Sequence, residues 1–106
     1  MLHKKISWIQ AWHHIQQKEK HNGGVFLETT DSLIWKVKIS IENTEVENKP
    51  FNSIKLNRNK NNWVQCSVGY DEEVSCLCFF GVGGPENLEE IIDIFISWVD
   101  RNEMSS

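Results

Sequence analysis

The sequence predicts an α+β domain in which a mostly antiparallel sheet of about five strands lies between an N-terminal and a C-terminal helix. Three observations lead there. Apolar residues recur at helical spacing at both ends of the chain, they alternate along its middle, and the joints between alternating segments are too short for parallel crossovers. The expected order is α-β-β-β-β-β-α. No repeat, low-complexity tract or linker divides residues 1–106, which read as a single domain with residues 103–106 loose.

From Leu2 to about Lys20, Trp8, Ile9, Trp12 and Ile15 share one side of a helix, while Ser7, Gln10, His14, Gln17 and Lys18 cover the other. Asn22-Gly23-Gly24 ends it. Strands follow over Gly24 to Thr30 and Leu33 to Ile41. In the second, Leu33, Trp35, Val37, Ile39 and Ile41 alternate with Lys36, Lys38 and Ser40, which implies one buried and one wet face. Thr30-Asp31-Ser32 is short enough to join the two as an antiparallel hairpin.

Glu42 to Pro50 is polar and reads as a surface loop. Phe51, Ile54 and Leu56 begin a third strand, and Arg58-Asn59-Lys60-Asn61-Asn62 makes a polar turn. Trp63 to Tyr70 and Val74 to Phe80, joined by Asp71-Glu72-Glu73, complete the sheet. Gly81-Val82-Gly83-Gly84 reads as a tight strand-to-helix reversal, after which either Pro85 opens the last helix or Asn87 with Glu90 caps it slightly later. On that helix Leu88, Ile91, Ile92, Phe95, Trp98 and Val99 form the arc expected to pack on the sheet; Glu86, Glu89, Glu90, Asp93 and Asp100 lie opposite.

A chain of 106 residues that is 40% hydrophobic, with five Trp and five Phe, fills one core and favours shallow surface recognition over a deep substrate cavity. It contains no run near the roughly 20 apolar residues of a membrane span, and its start lacks the apolar stretch of a signal peptide, so a cytoplasmic location off the membrane is expected. The net charge of −4 is uneven. Residues 1–67 hold ten Lys/Arg against six Asp/Glu, a balance of +4, and residues 68–106 hold Arg101 against nine acids, a balance of −8. That distribution disfavours nucleic acid, which needs a basic face, and suits a basic protein partner.

Cys66, Cys76 and Cys78 are odd in number and strand-borne, which is no disulfide framework. They read as small buried hydrophobes, since a lone Cys-x-Cys is a weak metal motif and neighbouring acids oppose a thiolate. The glycine run lacks the third glycine of a dinucleotide fingerprint and the Lys-Ser/Thr of a P-loop, and Glu86, Glu89 and Glu90 would repel a phosphate. Among His3, His13, His14 and His21, no pair has the i, i+4 spacing of a helical zinc site. Carboxylates on a wet helix face keep ordinary pKa values and make poor general acids. No catalytic residue, cofactor or metal is expected.

What remains is the acidic face of the last helix. It lacks the i+4 lysines that would neutralise it within the helix, and uncompensated like charges there cost a few tenths of a kcal/mol per pair, which a binding role would offset. Glu86, Glu89, Glu90 and Asp93, with the Asp71-Glu72-Glu73 turn taken as adjacent, are the expected partner-binding residues. Trp63 and Tyr70 are the candidate anchors.

Residues spread over most of the chain resemble the immunity protein 53 family of bacterial polymorphic toxin systems. They are Trp8 and Trp12; Gly24-Val25 with Leu27-Glu28-Thr29; Asp31 and Trp35-Lys36-Val37-Lys38-Ile39; Thr44, Phe51, Asn62-Trp63 and Cys66; Gly81-x-Gly83-Gly84-Pro85 with Asn87-Leu88-Glu89-Glu90-Ile91; and Phe95 with Trp98. The chain departs from the family where Ser32-Leu33-Ile34 replaces a Pro-Gly turn. The resemblance implies a cytoplasmic protein that binds a co-encoded toxin domain, and it carries over no catalytic residues; the charge distribution adds the expectation that it occludes the toxin's active surface and is not an enzyme. The alternatives are a small homomeric binding or regulatory module, for which a homodimer is allowed, and a small cysteine-dependent enzyme using Cys76 or Cys78.

Overall fold

A computed structural model describes residues 2–16, 24–30 and 32–100. Helix α1 (Leu2–Gln16) is followed by β1 (Val25–Thr29), β2 (Trp35–Ser40), β3 (Ile54–Asn59), β4 (Asn62–Asp71), β5 (Cys76–Gly83) and α2 (Leu88–Asp100). The expected α+β order is observed. The strands form one sheet in the order β1-β2-β5-β4-β3, with every neighbouring pair antiparallel. None of the described helices is long and apolar enough to cross a membrane. His21, Asp31 and the expected continuation of α1 to Lys20 lie outside the described residues.

The alternation read in β2 assigns the two faces. Val37 and Ile39 are buried, and their cross-strand partners Gly81 and Phe79 lie under α2, so this is the covered face. Lys36, Lys38, Phe80, Val82, Gln65 and Ser67 alternate with them and point away from α2. The helix packs its apolar arc as expected: Ile91, Ile92, Phe95, Trp98 and Val99 are buried. Phe79, Phe95, Phe51 and Trp98 meet at centroid distances of 5.1 to 6.4 Å and form the aromatic centre of the core. Helix α1 joins through Ile9 and Trp12, both buried, with Trp12 edge-on to Phe95 at 5.2 Å. Ile15, expected on the same side, is 57% exposed.

Two expectations about loops are corrected. Residues 41–53 are not a simple polar loop. Successive turns (Thr44 N–H to Ile41 C=O, Glu47 N–H to Thr44 C=O, Lys49 N–H to Val46 C=O) fold them down so that Ile41 and Val46 are fully buried. Within that segment Glu45 accepts a hydrogen bond from Trp12 Nε1 at 2.8 Å, and the Pro50 carbonyl accepts one from Trp98 Nε1 at 2.8 Å. Polar composition concealed a segment that clamps both helices.

Strand β5, expected to stop at Phe80, runs on through Gly83. Gly81 and Gly83 are strand residues paired with β2 and β4 rather than parts of a reversal. Glycine weakens strand propensity, which hid the extension. The β1–β2 connection holds Leu33 at φ 61, a left-handed conformation glycine adopts without strain.

Candidate functional site

The acidic helix is held close against the sheet. A Cβ on Gly81 would lie 2.2 Å from Ile91 Cγ2, and one on Gly83 would lie 3.0 Å from Ile91 Cδ1, so only glycine lets α2 lie this near β5. Asn87, 4% exposed, sits immediately before the helix and gives its carbonyl to the first helical bond, from Ile91 N–H. Its side chain does not close a local cap. Oδ1 accepts from the Trp63 backbone N–H at 3.1 Å, while Nδ2 donates to Asn62 Oδ1 at 3.0 Å and to Glu90 Oε1 at 2.9 Å. The later of the two expected starts is therefore the observed one, and Asn87 and Glu90 are bonded to each other, with β4 as a third member.

Removing that side chain leaves the Trp63 N–H without its partner. Asn87→Ala is expected to cost about 2 kcal/mol, the range for a buried hydrogen-bonding group left unpaired. Asn87→Asp, which keeps the acceptor but sets a second carboxylate against Glu90, should recover stability as pH is lowered and that pair protonates. Urea midpoints at pH 7 and pH 4 check both; an Asn87→Ala chain as stable as the parent would exclude the role.

The other end of α2 has no basic residue in its last turn. Lys49 takes that place from the 41–53 segment, donating from Nζ to the carbonyls of Trp98 and Val99. A cation there satisfies carbonyls the helix leaves open and opposes the negative end of its dipole.

The carboxylates of α2 have partners the helix itself does not supply. Glu89 Oε2 lies 2.6 Å from Lys5 Nζ of α1, and Asp93 Oδ1 lies 3.5 Å from the same nitrogen. Glu90 takes a two-point contact from Arg58 of β3 at 3.0 and 2.7 Å. The expectation of an uncompensated stripe is thus corrected, because tertiary contacts bring the cations that i+4 spacing does not. Five carboxylates, Glu86, Glu89, Glu90, Asp93 and Asp100, stand against three cations among the described residues, Lys5, Arg58 and the Lys49 at the helix end. The surface stays net negative by two charges.

These pairs carry a pH signature. The Lys5 hydrogen bond holds Glu89 below its usual 4.5, and the Arg58 hydrogen bond does the same for Glu90. The Val74 backbone N–H and then Lys38 hold Asp71 below 3.8. Lys5 is raised above 10.5 by Glu89, and Lys38 is raised by Asp71 and Glu73 despite burial working against its charge. A depressed carboxylate stabilises the fold fully above its unfolded pKa and loses that contribution as pH falls through the folded value; a raised lysine contributes fully below 10.5 and loses it as pH rises through the folded value. Stability from these pairs should be flat near neutrality and fall below about pH 4.5, with a shallower acid slope for Glu90→Gln. Parallel acid slopes for the two chains would contradict this assignment.

Beside α2 lies a groove of about 640 Å³, floored by Ile54, Phe51 and Ile94 and rimmed by Glu90, Asp93 and Ser97. It exists because α2 covers β2, β5 and β4 and stops short of β3. Leu56, on the covered face opposite Val64, is consequently 41% exposed.

The nine expected partner-binding residues do not form one surface. Glu86, Glu89, Glu90 and Asp93 lie together along α2. Asp71 and Glu73 lie on the opposite face of the sheet, where both engage Lys38 at 3.1 and 3.2 Å. Asp71 is also seven residues along β4 from Val64, about 23 Å at strand spacing, so the adjacency read for this turn does not hold. Glu72 is exposed in that turn. Trp63 is half-buried near the start of β4, and Tyr70, 62% exposed, is near its far end. Sequence reasoning missed Lys5, Lys49 and Arg58, whose roles depend on partners distant in the chain.

All three cysteines are buried thiols outside any disulfide. Burial and then the Glu90 charge push the Cys66 thiol up to about 12; burial and the Cys76 contact push Cys78 up to about 12. Ser40 Oγ lies 3.3 Å from Cys76 Sγ. Among the described residues, no three His, Cys, Asp or Glu side chains converge as a metal-ligand set.

The residues that carry the sequence resemblance now have places: Asn62-Trp63, the β5 glycines, Asn87, Glu90 and Ile91 are the joint between sheet and α2. No curated protein and no solved structure matches the chain. The family model described as Immunity protein 53 matches residues 6–100, which takes in the five strands, α2 and all but the first turn of α1. On that match the chain belongs to the immunity protein 53 family.

Proposed function

We propose that the chain is a cytoplasmic, non-enzymatic immunity protein that binds a cognate toxin domain and covers its active surface. The observation that carries the reading is the α2 surface, which stays net negative after its internal ion pairs are counted and borders an apolar groove. Glu86, Asp93 and Asp100 attract and orient a basic toxin surface, and charge of this kind acts mainly on the encounter rate. Affinity comes from side chains seated in the groove over Phe51, Ile54 and Ile94, where water is expelled. Glu89 and Glu90 hold their own cations and serve mainly to fix the helix. Asp71, Glu72, Glu73, Trp63 and Tyr70 belong to other surfaces and stand outside this contact.

Two features support binding over cysteine chemistry. All three thiols are buried, and burial holds Cys66 and Cys78 protonated, whereas a cysteine nucleophile must be an accessible thiolate.

The test begins with the gene immediately upstream, expected to encode a long toxin with a variable C-terminal domain. Binding of that domain is measured by calorimetry across a salt series for the parent chain and for Glu86→Lys/Asp93→Lys/Asp100→Lys. The triple variant should bind at least about tenfold more weakly with a flatter salt dependence, and should fail to protect cells that express the toxin. Unchanged affinity and unchanged salt slope would remove α2 from the contact.

A further inference from the structure

The two edges of the sheet are built differently, and we infer that two copies of the chain join through β1, extending their sheets into one antiparallel sheet. An edge strand presents unpaired backbone N–H and C=O groups, and proteins that must stay single protect it with charge, proline or irregularity. Strand β3 is protected in this way: it carries Lys55 and Arg58, is followed by Lys60, and its register shifts between Asn57 and Asn59. Strand β1 reads Val-Phe-Leu-Glu-Thr, with no lysine, arginine or proline, and it pairs with β2 in unbroken register from Val25↔Ile39 to Thr29↔Trp35. Its two large apolar residues, Phe26 and Leu27, are 43% and 40% exposed on opposite faces.

The strand is complementary to itself. An antiparallel pair centred on Leu27 sets Leu27 against Leu27 of the second copy, Val25 against Thr29, and Phe26 against Glu28. Glu28 already faces Lys36 across β2, and Lys38 Nζ lies 5.4 Å from the centroid of Phe26. The centred register therefore places each Glu28 between Lys36 of its own sheet and the Lys38–Phe26 pair of the other copy. A register centred on Glu28 would put two like charges face to face and is excluded by their repulsion. That charge pattern commits the edge to a second copy rather than to an arbitrary strand. Five residues per side make a seam smaller than a standard stable interface, so association is weak, on the order of 10 to 100 µM.

Sedimentation of the full chain between about 1 and 300 µM tests it across that range. The parent should move from monomer to dimer mass with concentration. Leu27→Lys and Glu28→Lys should stay monomeric throughout, and Leu56→Lys on the opposite edge strand should dimerise like the parent. Should Leu27→Lys fail to fold, as judged by circular dichroism, Glu28→Lys alone decides, because Glu28 is exposed. A parent chain monomeric at every concentration overturns the inference. So does dimerisation that Leu56→Lys abolishes and Glu28→Lys leaves intact, or a monomer whose β1 amides gain exchange protection only when a toxin domain is added. The α2 triple variant should dimerise like the parent, which keeps this result separate from the fate of the toxin-binding reading.

Discussion

Gly81→Val is expected to unfold most of the population, and Gly81→Ala to cost about 3 kcal/mol, the upper range for overpacking a well-filled core. Two effects oppose each other at this position. Glycine is a poor strand residue, and replacing it should strengthen β5 by several tenths of a kcal/mol. The added Cβ, however, would stand 2.2 Å from Ile91 Cγ2, with Phe79 Cε2 at 3.5 Å, and Ile91 is fully buried with a β-branched side chain that has few rotamers to retreat into. The clash wins, because relieving it means lifting α2 from the sheet. Pairing Gly81→Ala with Ile91→Ala discriminates: Ile91→Ala alone costs about 2 to 5 kcal/mol by leaving a cavity, but the Cβ at position 81 then enters that space. The double variant should be more stable than the sum of the singles by at least about 1 kcal/mol. Additive losses, or a Gly81→Ala chain as stable as the parent in urea, would show that the helix does not rest on this glycine.

Phe95→Ala should cost about 3 to 5 kcal/mol. For a domain whose total stability is about 5 to 15 kcal/mol, that is a large share of the margin. Phe95 is fully buried and touches Phe79 of the sheet at 5.1 Å, Trp98 of its own helix at 6.1 Å and Trp12 of α1 at 5.2 Å. No neighbour can collapse into the space without breaking another of these contacts. The loss should fall unevenly, since α1 packs on α2 and depends on Trp12 for its seat. Near-ultraviolet circular dichroism from the Trp8–Trp12 stack, 6.5 Å apart, should diminish at denaturant concentrations where the sheet is still intact. A loss below about 1 kcal/mol would place the centre of the core elsewhere.

Elements with a strong period were legible in the sequence. Strand β2 announced both its type and its buried face through Val37 and Ile39, and α2 announced its packed arc from Ile91 to Val99. Two segments misled for local reasons. Gly81-Val82-Gly83 carries turn composition, yet it is strand because Ile91 needs the space where side chains would be. Residues 42–50 are polar, yet Val46 is fully buried among them and Lys49 ends a helix fifty residues away.

The candidate site was half legible for a related reason. The acids could be read from helical spacing, but Lys5 is 84 residues from Glu89 and Arg58 is 32 from Glu90, distances at which no sequence period operates. The placement of the Asp71–Glu73 turn on the far face likewise depends on strand order, and order is decided by which hairpins meet. The family likeness was legible because its residues run through nearly every element, with one group of them gathered at the joint between the sheet and α2.

The pairing of β2 with β5 bears on how fast the chain reaches its native state. The hairpins β1–β2 and β3–β4–β5 are local, but their seam matches Trp35 with Gly83 and Ser40 with Cys78, residues 48 and 38 apart. Closing such a loop forfeits chain entropy before any contact repays it, so this seam should be the slow step and the hairpins should form ahead of it. Conservative substitutions at Val37 and Ile39 should then slow refolding, whereas substitutions at Leu27 or Leu56 should chiefly hasten unfolding. Chevron plots for the four positions would reverse that picture if the edge strands, rather than the middle, governed the refolding arm.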